Sequence, residues 1–333
     1  MYNKLTIITT LVNSNSINRI VKIERFVKYH ERIGSQIIIV CPDDVEIPTL
    51  KASHLEIINC NRNLNVTEKV LLALKNVKTP YVSWIADDDF LGYDFAKKSI
   101  AELDNYDYIA GCDGFMFFIE EETLKRQDIK YSYTSFRKGL KANIDGHRGK
   151  RFRFQADYYH PGITHSVIRT DVITAALQFI LDYKVPINFA DRIFVAIVML
   201  YGDIKYVNSV TNIRSFGTRI MHHNPSLFNK ADIGPRELIM HEYIVKEVFN
   251  HYERIHGNLT PGIKADILYF LMKSSKALND YANKTTIKYR LKQLYILICS
   301  YIEPTKLSLL NKEIRNDIKL AKKFMKEYSL KGN

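Results

Sequence analysis

The chain has 333 residues, 46% of them hydrophobic, and 48 Lys/Arg against 36 Asp/Glu give it a net charge of +12. This composition excludes a disordered chain, and no apolar run approaches the roughly 18 residues needed to span a bilayer. The longest is Ile193–Tyr201, closed off by Arg192 and Gly202. Cys41, Cys60, Cys112 and Cys299 are too scattered for a zinc knuckle or a disulfide framework, so reduced core thiols are expected.

In chain order, Leu5–Val12 is a Thr-rich apolar run, too short and too poorly flanked for a signal peptide. It reads as a first strand, and the protein is expected in the cytosol. A helix follows near 17–33, then strands at Gln36–Cys41 and Leu55–Cys60, a helix near Thr67–Val77 and a strand at Tyr81–Ala86. The order β-α-β-β-α-β predicts a Rossmann-like α/β layer structure. Further strands are expected at Asp107–Cys112, Ser166–Arg169 and Gly202–Val207. The Lys/Arg-rich stretch Glu120–Arg153 has little hydrophobic period and reads as an irregular excursion or a lid. From Pro235 onward strand signals stop. Four helical stretches follow, near Pro235–His256, Gly262–Tyr281, Ile287–Tyr301 and Thr305–Tyr328. The expected division is therefore an α/β domain over 1–230 and a basic α-helical subdomain over 235–333.

The most informative feature is Asp87-Asp88-Asp89, set directly after the apolar run Tyr81–Ala86. Three adjacent carboxylates repel one another, so something cationic is expected to hold them. A buried strand delivering acids to the carboxyl edge of an α/β sheet places them where such folds bind ligands. Oxygen ligands there suit Mg²⁺ or Mn²⁺ bridging to substrate phosphates. The alternative is a solvated acidic turn capping the helix that begins near Tyr93.

Strand one ends in Thr9-Thr10, strand two in Pro42-Asp43-Asp44, and the polar stretch Asn59–Asn65 precedes a helix carrying Lys69. All of these converge with the Asp run on one sheet edge. With Lys78-Thr79-Pro80-Tyr81-Val82-Ser83-Trp84-Ile85-Ala86-Asp87-Asp88-Asp89-Phe90, this arrangement resembles the GT-A glycosyltransferases, specifically family-2-like bacterial enzymes, over about residues 4–225. The resemblance implies a GT-A fold (a Rossmann-like, nucleotide-diphospho-sugar transferase domain) and an inverting, metal-dependent transfer from a nucleoside-diphosphate sugar, UDP foremost. The acceptor would be a hydroxyl of a growing surface glycan or a lipid-linked glycan.

Residue by residue, the resemblance places Thr9, Thr10 and Asp43 at the nucleobase and ribose, Lys69 near the base or diphosphate, and Asp87 at the ribose. Asp88 falls at the metal-ligating position, and Asp89 is implied as a second metal ligand. Ala86 stands where the family's first Asp would be, and Thr79 where a small Gly is usual. Asn188-Phe189-Ala190-Asp191-Arg192 is similar to the family's E-D base motif, with Asp191 matching its Asp and Ala190 in place of its Glu. The other reading of Asp191 is an N-cap or first-turn residue on a helix over Arg192–Leu200. Arg219 is implied as a phosphate contact and His222 or His223 as a further metal ligand; a plain surface His pair is the alternative. His160 and His165, in a turn before a strand, face the acceptor or simply make the turn.

Two other classes compete. A sugar nucleotidyltransferase shares the fold but needs a Gly-rich phosphate loop after strand one, and Thr10–Asn18 contains no Gly. A nucleic-acid-binding or scaffold protein would use the basic tail, which carries an excess of eight positive charges between Lys284 and Lys331 but no nucleic-acid motif. No nucleic-acid partner is therefore expected. The tail fits an anionic membrane surface, which would make the enzyme peripheral at the inner face, or a solvated basic face packed on the catalytic domain or on a second copy in a homo-oligomer.

Overall fold

The computed structural model describes residues 3–11, 17–47, 50, 52–120, 131–134, 151–153, 155, 161–216, 235–282 and 312–329. The chain is mixed α/β around a central mixed sheet of nine strands. The first half runs β1 (Leu5–Thr10), α1 (Ile17–Arg32), β2 (Gln36–Pro42), β3 (Leu55–Cys60), α2 (Val66–Leu74), β4 (Tyr81–Trp84), β5 (Phe90–Leu91), α3 (Tyr93–Asn105), β6 (Ile109–Glu120) and β7 (Tyr131–Thr134). After a short 3₁₀ turn at Pro161–His165 come β8 (Val167–Arg169), α4 (Thr170–Asp182), α5 (Ile187–Tyr201), β9 (Asp203–Phe216), α6 (Pro235–His256), α7 (Pro261–Ala282) and α8 (Lys312–Ser329).

Strands are ordered β3-β2-β1-β4-β8-β6-β9-β5, with β7 on β6. β3, β2, β1 and β4 are parallel, β8 runs against both β4 and β6, and β6 and β9 are parallel. This is the Rossmann-like α/β layer arrangement that the β-α-β-β-α-β order predicts, extended on one side by β8, β6, β9 and β5. Parallel strands are covered on both faces and so read as continuous apolar runs. In β1 and β2, Ile7, Ile37 and Ile39 enter one core while Ile8, Ile38 and Val40 enter the other. The first core lies under α1, α3 and α8, and the second under α2, α4, α5, α6 and α7. The described helices of the C-terminal region therefore divide between the two faces of the sheet.

Local signals explain several boundaries. Asn65 and Glu68 form a capping box that starts α2. Pro186 occupies the N-cap of α5, so this helix begins at Ile187, five residues earlier than its apolar core Arg192–Leu200 suggests. β6 and β9 run well past the expected 107–112 and 202–207 and pair along most of their length. Of the excursion 120–153, only β7 and residues 151–153 are described beyond Glu120. The helix expected near Ile287–Tyr301 lies outside the described residues.

Candidate active site

β1, β2 and β4 deliver their carboxyl ends to one edge of the sheet. At β1 the Thr9 side chain is fully buried, and its hydroxyl has no hydrogen-bond partner among the described residues. Thr10 is half-buried. The buried ammonium of Lys69, from the first turn of α2, donates to the Leu11 carbonyl at 3.2 Å and so closes the end of β1. Beside it, Asp43 is exposed, with its backbone N–H on the Cys60 carbonyl at 2.9 Å, and Asp44 pairs with Arg62 at 3.1 Å. Thr9, Thr10, Asp43 and Lys69 thus form one corner.

The Asp run makes the turn that leaves β4 and returns as β5. The Asp89 N–H closes on the Ala86 carbonyl at 3.1 Å, and β5 then pairs antiparallel with β9. The turn does not cap α3, whose N-cap is Gly92 without a side-chain bond. The acid serving that helix end is Asp317 of α8, whose Oδ2 accepts from the Asp94 N–H at 3.0 Å. The run therefore does not serve as the cap of α3.

The three carboxylates have different surroundings. Asp87 and Asp89 are buried at 6% and 1% exposure, whereas the Asp88 side chain is 22% exposed. Asp89 Oδ2 accepts from Asn212 Nδ2 at 3.1 Å and faces Arg214 Nε at 3.0 Å. Burial pushes the Asp89 carboxyl up to about 7, with the Asp88 and Asp87 charges adding to the push and Arg214 and Asn212 opposing it. Asp88 Oδ2 pairs with Lys22 Nζ at 3.2 Å, and Arg25 donates to the Asp88 carbonyl at 3.4 Å. The Arg25 guanidinium also lies 5.2 Å from the centroid of the Phe90 ring, which fixes it.

A Mg²⁺ or Mn²⁺ ion meets suitable oxygen chemistry at Asp88, the open member of the run. Among the described residues no three His, Cys, Asp or Glu side chains cluster into a cage. A single carboxylate of this kind is what Mg²⁺ commonly uses alongside substrate phosphates.

Asp191 lies in the second turn of α5, and no acidic residue occupies the first. It is therefore neither a cap nor a first-turn acid. Low-polarity surroundings raise the affinity of its carboxyl for a proton, and Arg192 and Arg214 oppose this. Asp191 is an exposed residue, so water moderates the push. The Arg214 charge thus favours the ionised form of both Asp89 and Asp191, although its ion pair is with Asp89. Its neighbour Arg192 is buried, with its guanidinium 5.9 Å from the Phe189 ring centroid.

His165 sits behind the end of β4. Its Nδ1 is 2.9 Å from the Trp84 carbonyl, its ring faces Trp84, and Ser83 Oγ donates to its carbonyl at 3.1 Å. His160, Arg219, His222 and His223 lie outside the described residues. The sequence left Lys22, Arg25, Asn212 and Arg214 unassigned. The i, i+3 spacing of Lys22 and Arg25 on α1 was an available signal; Asn212 and Arg214 offered none until β9 pairs with β5. Asp113 was missed too. Buried on β6, it accepts from the Gly114 N–H at 2.8 Å and from Ser166 Oγ at 3.0 Å, fixing the turn that presents His165.

No family model matches this chain, and no curated protein matches it. Among solved structures, S. aureus TarS 1–349 is similar at 14% identity and a TM-score of 0.47, covering 98% of this chain and 92% of that one. The same protein in complex with UDP-GlcNAc is similar at 15% identity and a TM-score of 0.48, with the same coverage. 4-Diphosphocytidyl-2C-methyl-D-erythritol synthase from Anaerococcus prevotii is similar over 65% of this chain and 89% of that one, at 12% identity and a TM-score of 0.37. Among the described residues, no helix is long and apolar enough to cross a membrane.

Proposed function

We propose that this chain is an inverting glycosyltransferase that moves a sugar from a nucleoside diphosphate, UDP foremost, to a hydroxyl of a glycan or lipid-linked acceptor. The observation that carries the reading is the part-exposed Asp88 carboxylate at the sheet edge, flanked by buried Asp87 and Asp89.

The corner of Thr9, Thr10, Asp43 and Lys69 takes the base and ribose, with Asp87 on the ribose side. The exposed Asp43 offers it hydrogen bonds, and the buried Thr9 hydroxyl beside it has no partner among the described residues. Asp88 would hold Mn²⁺ or Mg²⁺, which when bound would supply Lewis-acid stabilisation of the leaving diphosphate. Asp89 does not compete for that role, because Arg214 and Asn212 already occupy it; its work is to hold the turn in shape. Arg219, His222 and His223 are assigned to the diphosphate side, and His160 and His165 to the acceptor side, on the sequence resemblance. Asp191 accepts the acceptor hydroxyl proton, a contribution typically worth about 10²–10⁴-fold.

A panel of nucleotide sugars assayed with Mn²⁺ or Mg²⁺ tests the reading. Release of nucleoside diphosphate from one of them, abolished by chelator and by Asp88→Asn, is the expected result. Pyrophosphate release from a nucleoside triphosphate and sugar phosphate would instead make the chain a nucleotidyltransferase.

A further inference from the structure

The acidic run is matched by cations of the chain itself. Lys22 faces Asp88 at 3.2 Å, Arg25 holds the Asp88 carbonyl at 3.4 Å, and Arg214 faces Asp89 at 3.0 Å. These three cations differ in freedom. Arg25 is buried and lies against the Phe90 ring, and Arg214 is tied to a carboxylate that is itself buried. Lys22 is a compact charge on a flexible four-carbon stem, its side chain 20% exposed, paired with the one open carboxylate of the run. It therefore occupies the position a divalent ion needs, and it is the cation best able to leave.

We propose that Lys22 is the resident counter-ion of Asp88 and hands that carboxylate over only when a nucleoside diphosphate arrives. Its ammonium then swings from Asp88 Oδ2 to an oxygen of the diphosphate, while Asp88 is freed for the divalent ion. Without nucleotide, the metal must displace a bound ammonium from Asp88, and among the described residues it meets no group of three His, Cys, Asp or Glu side chains to hold it. With nucleotide, the ammonium keeps an anionic partner and the exchange costs little. Lys22 thereby makes metal and donor bind as a unit, a role that rests on the donor and metal reading of Asp88 given above.

Direct Mn²⁺ binding, followed by the electron paramagnetic resonance of the free ion, tests this without any turnover. Wild type, Lys22→Met, Lys22→Gln and Asp88→Asn are each titrated with and without UDP, and in parallel with GDP. Wild type should bind Mn²⁺ weakly alone and at least about tenfold more tightly with the diphosphate. Both Lys22 variants should bind Mn²⁺ alone about tenfold more tightly than wild type, with a smaller nucleotide effect and with a gap from wild type that narrows at high salt as the pair is screened. Asp88→Asn should lose the tight binding in both conditions. Unchanged nucleotide-free Mn²⁺ affinity in both Lys22 variants, with Asp88→Asn still deficient, overturns the counter-ion role and leaves the metal reading standing. Undiminished Mn²⁺ binding by Asp88→Asn overturns both.

Discussion

Arg214 Nε stands 3.0 Å from Asp89 Oδ2, joining the strand that follows the acidic turn to the last strand of the sheet. Asp89 is 1% exposed, while the Arg214 side chain is 36% exposed, so a cation reaching in from solvent neutralises a carboxylate shielded from it. Arg214→Met should leave that charge with Asn212 alone and destabilise the fold by about 2–3 kcal/mol, below the roughly 3–5 kcal/mol of a fully buried pair because Arg214 is partly exposed. Because burial already raises the Asp89 carboxyl, the unfolded chain loses this proton at lower pH than the folded one. Stability then declines as pH rises toward about 7, and Arg214→Met should deepen the decline. Chemical denaturation of Arg214→Met, Asp89→Asn and the double variant is the measurement. The double variant should recover most of the loss, and purely additive effects would show that the pair is not coupled.

Asp88 should behave differently from its neighbour. Its side chain is 22% exposed and its ion pair with Lys22 lies near the surface, where such pairs contribute about 1 kcal/mol or less. Asp88→Asn should therefore melt within about 1 kcal/mol of wild type while losing two or more orders of magnitude in transfer. Full turnover of this variant, or wild-type turnover undiminished in excess chelator, would remove Asp88 from the metal site.

The acidic run was legible because its signal is local: three adjacent acids after a Val/Trp/Ile run need no knowledge of the fold. The parallel strands were legible for the same reason, since burial on both faces makes β1 and β2 continuous apolar stretches. The cations were not. Lys22, Arg25 and Arg214 meet the run only because α1 lies under the first core and β9 crosses the sheet to pair with β5. The start of α5 was misjudged because the apolar run beginning at Ile193 outweighs the Pro186 boundary signal. The Lys-rich sequence of α8 suggests a surface role, yet Ile318, Ala321, Phe324 and Met325 form a buried stripe against the core of α1 and α3. A membrane contact through α8 would have to be electrostatic, made by outward residues such as Lys319 and Lys323.

Asp191→Asn keeps the shape of the side chain and removes its basic electron pair. Transfer should fall by about two or more orders of magnitude with nucleotide-sugar affinity little changed, because the loss lies in the transition state. Since α5 has Pro186 at its N-cap and Asp191 in its second turn, no capping energy is at stake and the melting temperature should hold. A collapse in donor binding, or surviving transfer, would place the base elsewhere. Steady-state kinetics with separate donor titration distinguishes these outcomes.

Asp317 ties α8 to α3 across 223 positions of sequence, accepting the Asp94 N–H at 3.0 Å where Gly92 provides no side-chain cap. Phe324 of the same helix meets Tyr29 edge-on at 5.7 Å, and Tyr29 donates to the Leu91 carbonyl, so α8 also braces the strand that follows the acidic turn. Burial pushes the Asp317 carboxyl up to about 6, with the backbone bonds from Asp94 and Tyr93 and the Lys98 charge opposing that push and the Asp94 charge adding to it. The sign follows from proton counting. Between its usual value and about 6 the folded chain holds a proton that the unfolded chain has lost, so stability is fully present below that window and is lost as pH rises through it. Integrated from about pH 4.5 to about pH 8, this single group removes on the order of 2 kcal/mol. Asp317→Asn retains an oxygen for the Asp94 N–H and cannot ionise, so its stability should be flatter over that range. At about pH 8 the variant should equal or exceed wild type, and at about pH 4.5 it should not. Denaturant midpoints at the two pH values decide it: an equal pH dependence in both proteins would show that Asp317 is not a buried titrating cap.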